Sequence, residues 1–306
     1  MSALPTEGSI PTRSPWEGAV YAILAYTAWG IFPIYWKFFG QAPTLEIISH
    51  RIVWSLLFLI VLAWWRKDGA ELRSVLHSPK RLTVLFATVS LLSANWGLFI
   101  YGVNSNQVVE SSMGYFINPL FNVLLGFLFL RERLTRPQVI ACGLAGCGVL
   151  WFGWHLGKIP WIALGLATTF GLYGLLRKVV AVTPIVGLLV ETALMTPIAG
   201  VMIWWLSAHH DAQFASSPHL TLLFIGAGIV TSLPLIWFNN AAKLLPLSTL
   251  GFFQYLAPSL QLLLGVALYR EPFTMREAFS FLLIWSAIAI YLRSSFAPRA
   301  ATPLAD

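Results

Sequence analysis

At 306 residues the chain is 58% apolar and 14% aromatic, and charged side chains make up only 10%, against roughly 25% in an ordinary soluble domain. That shortage leaves no surface for a water-soluble globule. The 19 Lys and Arg against 12 Asp and Glu give a formal charge of +7. The basic residues lie between apolar runs, so the excess reports topology and not a nucleic-acid partner.

In chain order, apolar runs close to the roughly 20 residues a bilayer crossing needs fall at 18–37, 45–65, 82–103, 108–130, 138–154, 160–176, 184–206, 219–240, 246–268 and 274–292. Residues 1–17 are mixed in character and precede a first run with no small-residue cleavage pattern, so that run is expected to stay as a span. The pair 138–154 and 160–176 is short and Gly-rich, and a re-entrant hairpin is the alternative to two full spans there. Either arrangement puts both termini on one side.

Orientation follows from the basic residues. With the N-terminus inside, the cytoplasmic segments hold Arg13, Arg66, Lys67, Arg73, Lys80, Arg81, Arg131, Arg133, Arg136, Arg177, Lys178, Lys243, Arg293 and Arg299, fourteen in all, against four outside, Lys37, Lys158, Arg270 and Arg276. The positive-inside rule therefore places both termini in the cytoplasm. The segment from Arg66 to Arg81 reads as a solvated, topology-fixing loop, with an interfacial helix as the alternative.

The fourth run ends PLFNVLLGFLFLRE at 119–132 and the ninth PSLQLLLGVALYRE at 258–271, an offset of 139 with six identities in fourteen positions. Trp29-Gly30 and Lys37 precede Phe170-Gly171 and Lys178 by 141. The halves read as a repeat, which gives the expected organisation: a cytoplasmic tail at 1–17, five spans in 18–154, five more in 155–293, and a cytoplasmic tail at 294–306. Five is odd, so the second unit enters from the opposite side. The expected fold is an all-α integral membrane protein, ten transmembrane helices in two inverted five-helix repeats around a shared path.

Arg51 and Glu191 stand inside spans, where an ionisable group costs about 2.5–3.5 kcal/mol on insertion scales. Each must face the bundle or a wet cavity. Substrate or gate contact, a structural pair and snorkelling stay open for Arg51, and Glu191 can also carry a coupling proton. Polar and aromatic residues gather near helix ends and prolines: Asn95, Trp96, Tyr101 and Asn118 with Pro119 in the first half, Asn239, Gln254 and Tyr255 with Pro258 in the second. Pro119 and Pro258 are candidate helix breaks, since proline frees a carbonyl that a nearby amide can satisfy. Such a lining suits a small organic solute better than a bare ion. The glycines at 143, 146 and 148 and at 165, 171 and 174 suggest close helix packing.

No GxxxxGK[ST], HExxH or GxSxG occurs, and the histidines at 50, 77, 155, 209, 210 and 219 are scattered. No catalytic set, cofactor or metal site is expected. The reading is a secondary transporter, with a non-transporting adaptor or membrane-embedded enzyme as the alternative. Cys142 and Cys147, five apart in one run, face different directions on a helix and cannot bridge each other.

The stretches SHRIVWS at 49–55, NWGLFIYGVN at 95–104, SMGYFINPL at 112–120, ETALMTP at 191–197 and LSTLGFFQYLAPSL at 247–260 resemble the EamA-domain proteins of the RarD type, in the drug/metabolite transporter superfamily. The resemblance implies a bacterial inner-membrane transporter of ten helices from two EamA repeats, whose relatives export amino acids, metabolites or drugs. It places Arg51, Asn95, Trp96, Tyr115, Asn118, Glu191, Gln254 and Tyr255 in the family pattern, without assigning binding roles to them. One departure is that Arg131 and Arg270 stand where a small residue often precedes the glutamate.

Overall fold

A computed structural model describes residues 15–105, 108–154, 159–209, 211–268 and 275–296. The described residues form twelve helical segments: α1 Pro15–Lys37, α2 Thr44–Trp65, α3 Gly69–Leu76, α4 Pro79–Asn104, α5 Val108–Leu130, α6 Arg136–Trp154, α7 Trp161–Val179, α8 Pro184–Ala208, α9 Pro218–Leu244, α10 Leu247–Gln254, α11 Leu256–Ala267 and α12 Met275–Phe296. Apolar runs without water must satisfy every backbone group internally, and the helix does this within one segment. Among the described residues, six helical stretches, Trp16–Lys37, Thr44–Trp65, Pro79–Phe99, Trp161–Val179, Pro184–Ala208 and Pro218–Leu244, are long and apolar enough to cross a membrane.

The surface is inverted relative to a soluble protein. Val61, Trp64, Leu150, Ile198, Val201 and Trp204 are exposed, whereas Asn118, Asn122, Arg177, Glu191, Asn239 and Gln254 are buried. A lipid-facing exterior with polar groups gathered inside accounts for both. Trp64, Trp65, Trp154, Trp161, Trp204 and Trp205 sit at helix ends, the level of a membrane interface.

Packing places α2 against α8 and α9, α1 against α9 and α11, α4 against α7 and α8, α5 against α7 and α10, and α6 against α12. On α1, Ala19, Ala22 and Ala25 keep that face slim beside the second half. There Tyr26, Trp29, Phe170, Tyr173 and Phe238 form an aromatic cluster with ring centroids 5.4–6.2 Å apart, mostly in the edge-on and tilted geometries that ring quadrupoles favour. On α9, Gly228 lets the α2 backbone at Trp54 and Ser55 come into direct contact, and the Ser55 hydroxyl donates to the Gly228 carbonyl at 3.0 Å.

Several expectations are corrected here. The segment from Arg66 to Arg81 is not a plain solvated loop: it contains α3, whose Val75 is fully buried against Val180, Val182 and Val186. The run at 246–268 is two helices joined at Tyr255. That joint lies three residues before Pro258, where the missing proline amide leaves the Gln254 carbonyl without its helical donor. Pro119, by contrast, lies inside a continuous α5. The short Gly-rich helices α6 and α7, expected as two spans with a hairpin as the alternative, pack mainly on α12 and on α4 and α5 respectively. A side chain added at Gly143 or Gly146 would meet nothing, while Gly165 and Gly171 contact Leu98 and Phe121. Cys142 and Cys147 are unpaired.

Candidate functional site

Four helices, α2, α4, α8 and α9, enclose a central cleft lined by Arg51, Ser55, Leu59, Leu92, Ser93, Trp96, Leu188, Glu191, Thr192, Met195, Thr231, Ser232 and Leu235 among others. The cleft's volume is about 40 Å³. That admits on the order of three waters and no drug-sized solute.

At one end of the cleft, Glu191 on α8 is buried. Its Oε1 accepts from the Thr88 hydroxyl of α4 at 2.6 Å and lies 3.5 Å from Arg177 Nη1 of α7. Arg177 is completely buried. Its Nε donates to Asn239 Oδ1 at 3.0 Å and its Nη2 to the Pro184 carbonyl at 3.2 Å, and the Asn239 amide reaches the Tyr173 hydroxyl at 3.3 Å. Gly187 makes room for the guanidinium, because any Cβ there would collide with it. A buried arginine is tolerable only when its charge is matched; here Glu191 matches it at 3.5 Å, Nε and Nη2 are hydrogen-bonded, and Nη1 has no hydrogen-bond partner. Glu191 Oε2 has no partner, and neither do the hydroxyls of Thr231 and Ser232.

Arg51 lies seven residues into α2, about 10 Å along the helix. Its guanidinium carbon sits 4.5 Å from the Trp96 ring centroid and 5.7 Å from that of Trp36, within cation–π range. Its Nε is buried without a partner, and no hydrogen bond or ion pair to Arg51 occurs among the described residues. Neighbouring His50 stacks on Phe214 at 4.3 Å, with Nε2 unpartnered.

Comparison with known proteins decides what this bundle is. The EamA-like transporter family model matches residues 16–154. An uncharacterized transporter of Vibrio cholerae is 45% identical over 90% of this chain and 91% of its own length, and Protein RarD of Escherichia coli is 41% identical over 90% and 94%. The chain belongs to the EamA-like transporter family. The Chloramphenicol-sensitive protein RarD of Pseudomonas aeruginosa is 29% identical over 90% of this chain. A solved crystal structure superposes with a TM-score of 0.72 at 17% identity, covering 93% of this chain and all of that one, a likeness of fold. This is therefore a multi-pass membrane protein of a transporter family.

Within this EamA-family bundle the sequence candidates divide. Arg51, Trp96 and Glu191 meet at the cleft. Asn239 stands behind it as the partner of Arg177. Asn95, adjacent to Trp96, turns away and clasps α7, donating to the Leu166 carbonyl and to Thr169 Oγ1 at 2.9 Å each. Asn118, Gln254 and Tyr255 belong to the buried crossing of α5 and α10: Asn122 donates to Gln254 Oε1 at 3.4 Å and the Tyr255 hydroxyl to the Phe116 carbonyl at 3.1 Å, while Asn118 Oδ1 is unpartnered. Tyr101 and Tyr115 are partly exposed, against Trp161 and Phe99. His210, Arg270 and Glu271 lie outside the described residues.

Sequence reasoning missed Arg177, counted there among cytoplasmic loop residues. The signal was periodicity: Arg177 stands three and four residues after Gly174 and Tyr173, both buried, so it continues their inward face. It also missed Thr88 and the hydroxyls of Thr231 and Ser232.

A second polar set closes the face that carries the 66–78, 131–135, 180–183 and 245–246 connections. Glu71 accepts from Thr183 N and Oγ1 at 2.7 and 2.8 Å, at the start of α8. Glu132 accepts from Leu247 N at 2.6 Å and from Ser248 N and Oγ at 3.0 and 2.6 Å, at the start of α10. Carboxylates suit these helix N-termini. Arg131 at φ 55° lets the chain turn back so that the Glu132 carboxylate lies over Gly126. Lys178 donates to the Ala242 carbonyl at 2.8 Å and also to that of Leu245, and Lys243 to that of Val180 at 3.0 Å.

Proposed function

We propose that this protein is a secondary transporter that moves a small organic solute, in the export direction, across the bacterial inner membrane by alternating access through the central cleft. The chain then crosses the membrane ten times, as two inverted five-helix units spanning 18–154 and 155–293, with both termini cytoplasmic.

The observation that carries this reading is the composition of the cleft wall. Helices α2 and α4 start at 44 and 79, and α8 and α9 at 184 and 218, so each wall helix of the first half recurs about 140 positions later in the second. Arg51 and Glu191 are themselves 140 apart. The packing supports the same axis: exchanging the halves maps α1–α9 onto α7–α4, α5–α7 onto α11–α1 and α2–α9 onto α8–α4, all of which are packed pairs. Two equivalent halves around one cleft have two nearly equivalent ways to close it.

The clasped face is the cytoplasmic one on this reading, and the conformation is closed to the inside. A cleft too small for a solute has to widen by rocking of the halves, which breaks the contacts of Glu71 and Glu132. Thr88 supplies a route for coupling to protons. Its hydroxyl lies within bonding distance of both Glu191 Oε1 and the Leu85 carbonyl, at 2.6 and 2.8 Å, but has one proton to donate. With Glu191 ionised, Thr88 donates to it. With Glu191 protonated, Glu191 donates to Thr88 and Thr88 to Leu85. In both states the Thr88 hydroxyl has an acceptor for its proton, so a proton can be taken up at Oε1 without leaving that hydroxyl stranded.

The test is flux in proteoliposomes under imposed pH and ion gradients, with a panel of organic solutes that includes chloramphenicol. Gradient-dependent flux that is lost in Glu191→Gln supports the reading. Folded protein that moves none of the panel under any gradient contradicts it.

A further inference from the structure

Among the described residues, every buried unpartnered polar atom in the cleft except one belongs to a group that can donate a hydrogen bond, the two hydroxyls being able to accept as well. Ser55 is already committed to the Gly228 carbonyl, Ser93 to that of Val89 and Thr192 to that of Leu188. Arg51 Nε, the Thr231 hydroxyl and the Ser232 hydroxyl are buried and unused. The exception is Glu191 Oε2, whose charge is already matched by Arg177. Among the described residues two charged side chains line the cleft, Arg51 and Glu191. With Arg177 neutralising Glu191 from behind, Arg51 remains as one uncompensated positive charge.

We infer that the solute carries a carboxylate, which docks on Arg51 with Thr231 and Ser232 as supporting donors, and that its body is apolar or aromatic. This rests on the transport reading above and narrows its substrate class. Trp96 and Trp36 lie 4.5 and 5.7 Å from the guanidinium carbon, and a guanidinium is itself a planar fork of donors. A planar carboxylate matches that fork with two parallel hydrogen bonds, which an alcohol or an ammonium cannot form. The remaining wall of Leu59, Leu92, Leu188, Met195 and Leu235 offers apolar surface to the rest of the molecule.

The test uses three probes with one body and different head groups: 3-phenylpropionate, 3-phenylpropan-1-ol and 3-phenylpropylamine. Their affinities for the full-length protein in detergent are read from melting-temperature titrations. The carboxylate is expected to bind at least about tenfold more tightly than the alcohol or the amine, the advantage of a charge-assisted hydrogen bond. Arg51→Gln is expected to erase that preference and Arg51→Lys to keep part of it. If Arg51→Gln does not fold, the wild-type ranking together with weakened carboxylate binding in Ser232→Ala decides. Equal affinities, no binding by any of the three, or a preference that survives Arg51→Gln in folded protein overturns the inference. Carboxylate preference without flux in liposomes leaves the inference standing and removes the transport reading; flux without the preference does the reverse.

Discussion

Arg177 and Glu191 form an ion pair 3.5 Å long with side chains 0% and 3% exposed, joining the end of α7 to the cleft wall on α8. Arg177→Met leaves Glu191 without its counter-charge and Asn239 without its donor. Stranding one buried charge costs about 3–5 kcal/mol, so purified Arg177→Met should melt well below wild type. Arg177→Met with Glu191→Gln should recover a large part of the loss, which a melting curve in detergent measures directly.

Glu191→Gln keeps the bond from Thr88 but leaves the buried Arg177 without its counter-charge, so it too is expected to melt below wild type, and flux is compared on folded protein. Solute exchange between equal pH on both sides should persist, while flux driven by a pH gradient should fall to background. Proteoliposome assays with and without the gradient separate these outcomes.

The Glu132 contacts to Leu247 and Ser248 predict a latch. Glu132→Ala removes three hydrogen bonds at the start of α10. A lost helix cap is worth about 1 kcal/mol, so opening of that face should become several-fold more frequent. In a background with Cys142 and Cys147 replaced, a Leu188→Cys reporter should react faster with a water-soluble maleimide in Glu132→Ala than in the parent.

Gly228→Val is expected to force α2 and α9 apart, because the added carbons meet the backbone of Trp54 and Ser55. Overpacking of this kind costs about 1–3 kcal/mol. The melting temperature should fall, and the Ser55 bond to the Gly228 carbonyl should be lost.

Much of the helical framework was legible in the sequence because runs of bilayer length admit one main solution, a helix, and helix positions then follow from where the runs stop. Arg51, Trp96 and Glu191 were legible for a related reason: polar or charged groups inside such runs need an interior. Arg177 was not, because the next residue, Lys178, gives the pair the look of a cytoplasmic end. The spacing does not separate them either, since Lys178 follows the buried Leu175 and Gly174 by three and four; what differs is that the lysine reaches the Ala242 carbonyl at the end of α9. The joint at Tyr255 was displaced from Pro258 because proline disturbs the preceding turn. The latch of Glu132 was hidden because it links residues more than a hundred positions apart, which no local pattern records.

The central claim is that one cleft opens to either face in turn. Its most direct measurement is the paired reactivity of Leu188→Cys, toward the clasped face, and Ser93→Cys, toward the opposite one, labelled with a water-soluble maleimide from each side of oriented vesicles with and without transported solute. The account predicts reciprocal change, one reporter gaining reactivity as the other loses it. Reactivities that rise and fall together, or that never respond to solute or gradient, would contradict it.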